Sequence, residues 1–473
     1  MAGAVTGAAL ATAATGAAVL RDEHRRARMS RSARVWRLTA RRGAHWATVK
    51  VRGVGRDAER RAALDHQFAV RSAEDVAREL GHMKGAIMKA GQLLGFIAEG
   101  LPPEAQQALA VLQADVPPMS PTLAEGVVRE ELGADPEHLF LDWNPVPVAA
   151  ASIGQVHKAV LRDGREVAVK VQYPGVDRAI RSDLDNAELL YSMFASLKLK
   201  GLDVKGLVDE LRARMGDELD YRIEARHQAG FAARYQGHPF VRVPDVVREL
   251  SGERVLTSEW VDGLTWAQFE ATAGETTRQR AAEVLFRFAQ GSVHRHGIFN
   301  GDPHPGNYRF HLDGTVTFLD FGLVKKWAPG EWERLSPSLD AIVGDRDPVA
   351  LVGAMESSGF LEPGHGLDPQ AVYDYVSSPY VPYLSDEFTF TRQWVADTLA
   401  KILDVDGPHA PVIRRLNMPP SFVILDRVVW GVSALLGKLE ARGPWRAILL
   451  EYRGQGEPAT ELGRAEAAWA AHR

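Results

Sequence analysis

Carboxylate and amide side chains stand near residue 300 at a spacing suited to phosphoryl transfer. Asp302 and Asn307 enclose four residues, and Asp320-Phe321-Gly322 begins thirteen positions after Asn307. Asp302 could orient or deprotonate an attacking hydroxyl group or water, while oxygens of Asn307 and Asp320 are ligands that Mg²⁺ accepts when it binds nucleotide phosphates. Either motif alone is frequent by chance, but their order and spacing together predict a phosphoryl-transfer site.

A tight hairpin is predicted between the two motifs. Residues 308–312 and 315–319 are rich in β-forming side chains and flank Asp313-Gly314, a dipeptide typical of two-residue β-turns. A loop, a hairpin and a second loop would therefore bring Asp302 and Asp320 together.

A lysine on an upstream strand completes the predicted site. Val167-Ala168-Val169-Lys170 follows a strand, a turn of small residues and a second strand, the order of the phosphate loop and lysine-bearing strand of protein kinases. Lys170 would hold the α- and β-phosphates of a nucleotide. Alanine replaces most of the glycines in the turn and disfavours positive φ, so we expect altered phosphate geometry. The residues predicted to contact nucleotide here are Ala149, Ala150, Ala151, Ser152, Ile153, Gly154 and Gln155.

A glutamate on a helix is expected to pair with Lys170. Apolar residues recur every four positions from about 205 to 235 and predict one long helix, on which Glu224 is the chosen partner. Asp220 lies four positions before Glu224, so the two carboxylates would repel each other on that helix unless a cation lies nearby. Glu218 lies four positions before Arg222, and this spacing alone favours a surface ion pair between the two side chains.

Two further strands, 241–250 and 254–261, are predicted to pair with each other. The second strand would end in the segment that carries adenine, with backbone groups of Glu259 to Val261 making the contacts.

Helices are predicted through most of the remaining chain. Residues 68–98 carry an apolar stripe and include Lys89 and Gln92, which are neighbours on the helix surface. The chain after 329 is expected to be mostly helical, and 453–473 to be weakly helical or frayed. The other predicted helices span about 104–114, 121–133 and 277–297.

The composition is that of a globular protein with a basic N-terminal segment. Hydrophobic residues make up 45% of the 473 residues, and the net charge of −5 gives no reason to expect a nucleic-acid partner. The absence of cysteine excludes disulfides and fits a cytoplasmic protein. Residues 4–20 are mostly small and precede the basic run, so we predict neither a signal peptide nor a membrane span. Residues 21–61 contain fourteen basic and four acidic side chains, which favours equally an arm for an anionic membrane surface or a flexible leader.

Together these motifs resemble the AarF/UbiB family of atypical kinase-like proteins, relatives of the coenzyme Q kinase-like proteins. The matching segments are Lys89-Ala90-Gly91-Gln92 (the KxGQ motif), Ala149-Ala150-Ala151-Ser152 (the alanine-rich loop), Glu218-Leu219-Asp220 (the ExD motif), Asp302 to Asn307, and Asp320-Phe321-Gly322. The chain departs from the family at Asn300-Gly301, where His-Ala is frequent, and at His227, where Asn is common. Neither departure removes a predicted phosphate or metal ligand.

The resemblance implies an α+β, bilobal protein-kinase-like fold with a small β-rich N-lobe, a helical C-lobe and an N-terminal helical extension over the active site. Lys89 would reach toward Glu218 and Gln92 toward the nucleotide, and Glu218 and Asp220 would belong to the nucleotide site. Family members bind nucleotide with Mg²⁺, show ATPase activity and support isoprenoid quinone biosynthesis, often at membranes. The predicted segments are a leader 1–65, an extension 66–135, an N-lobe 136–261, a C-lobe 262–455 and a tail 456–473.

We therefore predict an ATP- and Mg²⁺-dependent phosphotransferase or ATPase that acts on a small or lipid-associated target. It would be cytoplasmic, with possible attachment to an anionic membrane at its inner face; its oligomeric state is left open. A protein kinase is disfavoured, because only six residues separate Gly322 from Pro329. A small-molecule kinase of the aminoglycoside or choline kinase type and a nucleotide-sensing scaffold stay as alternatives.

Overall fold

The computed structural model describes residues 119–151, 153–177, 216–404, 406–417 and 420–473. The predictions for residues 1–118, including Lys89 and Gln92, and the prediction for Ser152 lie outside the described residues.

Short strands precede a largely helical region, so the predicted α+β architecture is confirmed. The strands are β1 Asp142–Trp143, β2 Ala149–Ala151, β3 Gly154–Val160, β4 Glu166–Gln172, β5 Val241–Arg242, β6 Val255–Glu259, β7 Ile298–Asn300, β8 Tyr308–Phe310, β9 Val316–Phe318, β10 Val324–Lys326, β11 Phe388–Thr389 and β12 Arg442–Gly443.

The α-helices are α1 Pro121–Leu132, α2 Pro136–Leu139, α3 Tyr221–Arg234, α4 Trp266–Thr272, α5 Glu275–Gln290, α6 Glu331–Leu339, α7 Pro348–Ser357, α8 Pro369–Val376, α9 Arg392–Leu403, α10 Ala410–Ile413, α11 Pro420–Lys438, α12 Trp445–Tyr452 and α13 Glu461–Ala471. Short 3₁₀ or π turns occur at Arg248–Leu250, Gly291–His296, Pro305–Asn307, Asp340–Asp345 and Ser378–Tyr383.

The N-lobe is an antiparallel sheet with strand order β1-β3-β4-β6, and β2 pairs with β3. Side chains alternate along β4, so Val167, Val169 and Val171 face one side while Ala168 and Lys170 face the other. The three valines are buried in one cluster with residues of α1. Helix α1 therefore covers one face of the sheet and leaves the opposite face for Lys170.

The long helix predicted from about 205 to 235 is interrupted at Asp220. Residues 216–218 are helical, and Asp220 then caps α3 by accepting the backbone N–H of Arg222. A short carboxylate competes with the helix for backbone donors, which makes Asp a good start residue and a poor interior residue. The predicted repulsion between Asp220 and Glu224 within one helix is therefore wrong.

The predicted pairing of strands 241–250 and 254–261 is present only over a short stretch, where the Val247 N–H donates to the Thr257 carbonyl oxygen and the Glu259 N–H to that of Asp245. Strand β5 pairs in parallel with β9, and between the two predicted strands an isolated bridge joins Val246 to Ser258. The sheet β5-β9-β8 instead packs over α5, because Phe318 on β9 stacks on Phe288 of α5 at 3.7 Å. The hairpin of β8 and β9 turns at Gly314 with φ of 82°, as predicted.

The C-terminal residues form a packed helix instead of a frayed tail. Arg287 is a buried charge on the otherwise apolar part of α5, and its guanidinium group binds both carboxylate oxygens of Glu451 on α12 at 3.0 Å. The same group contacts Thr460 at 2.9 Å and Glu466 of α13 at 3.4 Å. A buried guanidinium without partners is strongly unfavourable, so these acidic residues hold α13 in place.

Within the part of the chain that the structure describes, no helix has the length and apolar character needed to cross a membrane.

Candidate active site

Lys170 and Glu224 form the central ion pair of the candidate site. Strand β4 carries the lysine and α3 the glutamate, and Nζ lies 2.9 and 2.8 Å from the two carboxylate oxygens. The side chains are 18% and 7% exposed. Burial opposes the charge on Lys170, but Glu224 and Asp320 outweigh it and raise the pKa of the ammonium group well above its ordinary value. The predicted pairing of Lys170 with Glu224 is therefore present.

Asp320 faces this pair because the residues after it are held against α3. Its Oδ2 lies 3.7 Å from the Lys170 Nζ, and its Oδ1 accepts the N–H of Gly322 at 2.9 Å. Phe321 is fully buried and packs with a tilted ring against Phe231 of α3, with 4.7 Å between ring centroids. The ring nitrogen of His227 on α3 lies 3.3 Å from the Phe321 carbonyl oxygen. The helix that carries Glu224 thus also fixes the position of Asp320.

Asn300 ties the loop that carries Asp302 to Asp320. Its Nδ2 donates to the Asp320 carbonyl oxygen at 2.6 Å, and its Oδ1 accepts the Asp302 N–H at 2.8 Å. Asn307 donates from Nδ2 to the backbone oxygen and to Oδ2 of Asp302, both at 3.1 Å. The Leu319 N–H donates to the Asn307 carbonyl at 2.9 Å. The departure from the family pattern at position 300 is therefore a side chain that joins the two motifs.

Two oxygen donors in this arrangement fit Mg²⁺. Asn307 uses its amide nitrogen on Asp302, so its Oδ1 points away from that carboxylate. Asp320 keeps Oδ2 for a cation because Oδ1 is bound to a backbone N–H. The described residues contain no group of three or more His, Asp or Glu ligands. Nucleotide phosphates and water would have to supply the remaining oxygens, as is usual for Mg²⁺.

Arg427 is a site residue that the sequence gave no reason to select. It lies on α11, and its Nη2 forms an ion pair with Oδ1 of Asp302 although 125 residues separate the two in sequence. The arginine side chain is 13% exposed. No local motif surrounds it, so only the packing of α11 against the loop could reveal it.

The alanine-rich loop is built differently from the prediction. Ala149, Ala150 and Ala151 pair with β3 as strand β2, with the first two exposed. A Cβ on Gly154 would collide with the Val171 carbonyl oxygen, so this glycine allows close approach of β4. Ile153 lies immediately before it and is buried.

Gln155 does not present its side chain to a nucleotide. It is buried, accepts the Met119 N–H at 2.9 Å through Oε1, and contacts the His157 ring at 2.9 Å through Nε2. Alternation along β3 explains this, because Gln155 and His157 share the face that α1 covers. The nucleotide contact predicted for Gln155 would therefore have to come from its backbone, and it stays a prediction.

The opposite face of the sheet contains lining residues that the sequence analysis missed. Val156 pairs with Lys170 across β3 and β4, and Ser258 pairs with Ala168 across β4 and β6. The side chains of Val156, Ala168 and Ser258 are half-buried and lie on the same face of the sheet as Lys170. Counting in steps of two from Lys170 would have selected Ala168.

The segment predicted to bind adenine continues from β6. Glu259 ends β6, its N–H donates to the Asp245 carbonyl oxygen at 2.8 Å, and the next N–H, of Trp260, donates to the Glu166 carbonyl oxygen at 3.0 Å. These bonds fix the strand end beside β4, and Val261 follows directly. The predicted contacts from Glu259 and Val261 stay predictions.

Asp220 lies in a different environment from the one that the resemblance implies. Its carboxylate binds the Arg222 guanidinium at 2.8 and 2.9 Å, and these bonds lower the pKa of Asp220. This acid therefore stabilises the start of α3, and its place in the nucleotide site stays a prediction. The predicted contact between Glu218 and Lys89 is untested, because Lys89 lies outside the described ranges.

Comparisons with known proteins identify the family of this chain. A model of the ABC1 atypical kinase-like domain matches residues 111–350. The Arabidopsis thaliana protein ACTIVITY OF BC1 COMPLEX KINASE 1, chloroplastic, is 33% identical over 433 residues, which cover 84% of this chain and 61% of the relative. The Synechocystis protein slr1919 is 33% identical over 367 residues, which cover 75% of this chain and 62% of the relative. The chain thus spans about three fifths of the length of these relatives.

A solved structure of similar sequence has a similar fold. Rv3197 of Mycobacterium tuberculosis, in its complex with erythromycin, is similar with a TM-score of 0.61 and 33% identity over 84% of this chain and 100% of that chain. The match to the family model spans half of this chain, and the relative of known structure is covered completely. The predicted kinase-like fold is therefore confirmed, and this chain belongs to the AarF/UbiB family of ABC1 atypical kinase-like proteins.

Proposed function

We propose that this protein is a Mg²⁺- and ATP-dependent phosphotransferase or ATPase of the AarF/UbiB type. The observation that carries the proposal is the joint placement of Lys170, Glu224 and Asp320 within one ion-pair cluster. Asn300 links that cluster to Asp302. The presence of the complete set supports phosphoryl transfer over a nucleotide-sensing scaffold.

Each residue has a role that follows from its chemistry. Lys170 binds the α- and β-phosphates, and Glu224 orients the ammonium group. Asn307 and Asp320 hold Mg²⁺, which neutralises phosphate charge when it is bound. Asp302 accepts the proton of the acceptor hydroxyl group or water as the new bond to the γ-phosphorus forms. The bond to the bridging oxygen breaks, and ADP leaves with the electron pair.

The acceptor is proposed to be water or a small or lipid-associated hydroxyl compound. A peptide acceptor is disfavoured because few residues follow Gly322 before the chain enters the next strand. Residues 324–326 already form β10, which pairs with β7 just before the Asp302 loop. A protein kinase uses a long segment at this point to hold its peptide substrate. In this chain the residues after Gly322 lead directly into β10, so no long segment is available there to hold a peptide.

The physiological role is proposed to lie in isoprenoid quinone or other lipid metabolism, at or near an anionic membrane. The basic composition of residues 21–61 supports the membrane part of this proposal. The relative from M. tuberculosis was solved in complex with erythromycin, so this macrolide is a useful probe for small-molecule binding by this chain.

ATP turnover by the full chain tests the proposal. Turnover should require Mg²⁺, should fall at least about a hundredfold in Asp320→Asn, and should rise on anionic liposomes. Glu253→Ala, which removes an exposed acid paired with Arg222, should leave turnover within about twofold. Turnover that is unchanged in Asp320→Asn would contradict the assignment, and turnover that ignores liposomes would contradict the membrane part alone.

A further inference from the structure

Phosphoryl transfer needs positive charge near the transferred group, and the Asp302 loop supplies none of its own. Residues 300–308 contain no lysine or arginine. His304 is the basic residue of this loop, and its Nδ1 accepts the N–H of Gly306 at 3.1 Å. A ring nitrogen that accepts an N–H bond carries no proton, so this histidine is a neutral hydrogen-bonding group in this arrangement.

A positive charge reaches this loop from α11, which packs directly on it. A Cβ on Gly301 would lie 2.8 Å from Cγ2 of Ile424, and a Cβ on Gly431 would collide with Pro303. Ile424, Arg427 and Gly431 are spaced three and four residues apart, so they share one face of α11. Two glycines, one on each side, thus permit the contact that places Arg427 on Asp302.

Arg427 uses only part of its hydrogen-bonding capacity on Asp302. Its Nη2 pairs with Oδ1 of Asp302. Its Nη1 is buried and finds no hydrogen-bond partner within the described part of the chain. An unsatisfied buried donor on a charged group is costly, and a guanidinium group matches the oxygens of a phosphate.

We propose that Arg427 is a phosphate-binding residue of the reaction centre, with Nη2 holding Asp302 and Nη1 donating to an oxygen of the transferred γ-phosphoryl group. The proposal rests on the proposed function. It extends that function by assigning to a C-lobe helix the cation that contacts the terminal phosphate. Arg427 would discriminate ATP from ADP, because ADP lacks the phosphate that it contacts.

The test measures binding of Mg²⁺-ADP and of a non-hydrolysable Mg²⁺-ATP analogue to the full chain by calorimetry. Arg427→Gln should weaken the ATP analogue at least about tenfold and change ADP affinity less than about twofold. Arg427→Lys keeps the charge without the planar fork and should fall between wild type and Arg427→Gln. It also provides a readout if the glutamine variant does not fold.

Arg453→Gln is the matched control. Arg453 also pairs through Nη2 with a carboxylate, that of Asp340, and its Nη1 is likewise buried without a partner among the described residues. It connects α12 with the helical residues after α6 instead of lying on the Asp302 loop. Its substitution should leave the affinity ratio of the two nucleotides unchanged.

The double variant Asp302→Asn with Arg427→Gln separates direct contact from charge compensation. If Nη1 contacts phosphate, the double variant stays at least about tenfold weaker for the ATP analogue than Asp302→Asn alone. Affinity restored to that of Asp302→Asn would overturn the contact, since Arg427 would then only neutralise Asp302. Equal losses for ADP and the analogue in both Arg427 variants, or no loss, would also overturn it. Wild-type protein that binds neither nucleotide would overturn the proposed function itself.

Discussion

The ion pair of Lys170 and Glu224 makes a quantitative prediction for the free energy of unfolding. Glu224→Ala removes two short charge-assisted bonds of 2.8 and 2.9 Å and leaves a largely buried ammonium group. Breaking a buried pair by removing one partner costs about 3–5 kcal/mol. Asp320 at 3.7 Å can recover part of this cost by drawing the lysine toward it. We therefore expect a loss of about 2–3 kcal/mol.

Urea unfolding of Glu224→Ala and of a matched exposed variant provides the assay. Glu253→Ala removes a carboxylate at 3.2 Å from Arg222, but both side chains of that pair are more than half exposed. Its expected loss is about 0–1 kcal/mol. If Glu224→Ala lost less than about 1 kcal/mol, or no more than Glu253→Ala, the inference that burial makes the Lys170 pair stabilising would be refuted.

Three further predictions concern the loops and the C-lobe. Gly154→Ala should lower the unfolding free energy by about 1–3 kcal/mol, because its Cβ would collide with the carbonyl oxygen of Val171, and an unchanged urea midpoint would contradict that packing. Asn300→Ala should lower ATP turnover at least about tenfold with little change in ADP affinity, and a full-activity variant would show that the link from Asp302 to Asp320 is dispensable. Burial lowers the pKa of His294 to about 3, below its ordinary value of 6.5. The unfolded chain therefore binds the proton first, and stability is lost as pH falls below 6.5 by about 2 kcal/mol at pH 5. In His294→Gln the part of the pH dependence due to this histidine should vanish, and an unaltered pH profile would contradict it.

Local sequence patterns predicted the parts of the site that local chemistry dictates. The Asp313-Gly314 turn, the lysine-bearing strand β4 and the order of Asp302, Asn307 and Asp320 all follow from residues adjacent in sequence. Each of these features depends on the preferences of a few neighbouring residues, so the surrounding fold does not alter them.

Features that depend on tertiary packing could not be predicted from local sequence patterns. The close approach of β4 requires a glycine at position 154, and no local pattern encodes that approach. The pairing of β3 with β4 turns the Gln155 side chain to the face that α1 covers. Arg427 meets Asp302 only because α11 returns to the loop across 125 residues. Contacts of this kind depend on tertiary structure and leave no periodic signal.

Two errors did have signals in the sequence. Asp220 comes directly before an amphipathic run, which is a standard position for a helix N-cap. The recurrence of apolar residues every four positions continues through Asp220, so it predicted one uninterrupted helix. Arg287 lies among Val284, Leu285, Phe286 and Phe288. A buried charge needs a partner, so this arginine predicts acidic residues from elsewhere in the chain. Those partners are in α12 and α13, which explains why the C-terminal helix is not frayed.

The central claim is that Asp320, Asn307 and Lys170 form a Mg²⁺-nucleotide site. Calorimetric titration of the full chain with ADP, with and without Mg²⁺ and beside Asp320→Asn, tests it most directly. The account predicts binding that depends on Mg²⁺ in the wild type and is at least about tenfold weaker in the variant. Binding that is indifferent to Mg²⁺, or equal in the two proteins, would contradict it.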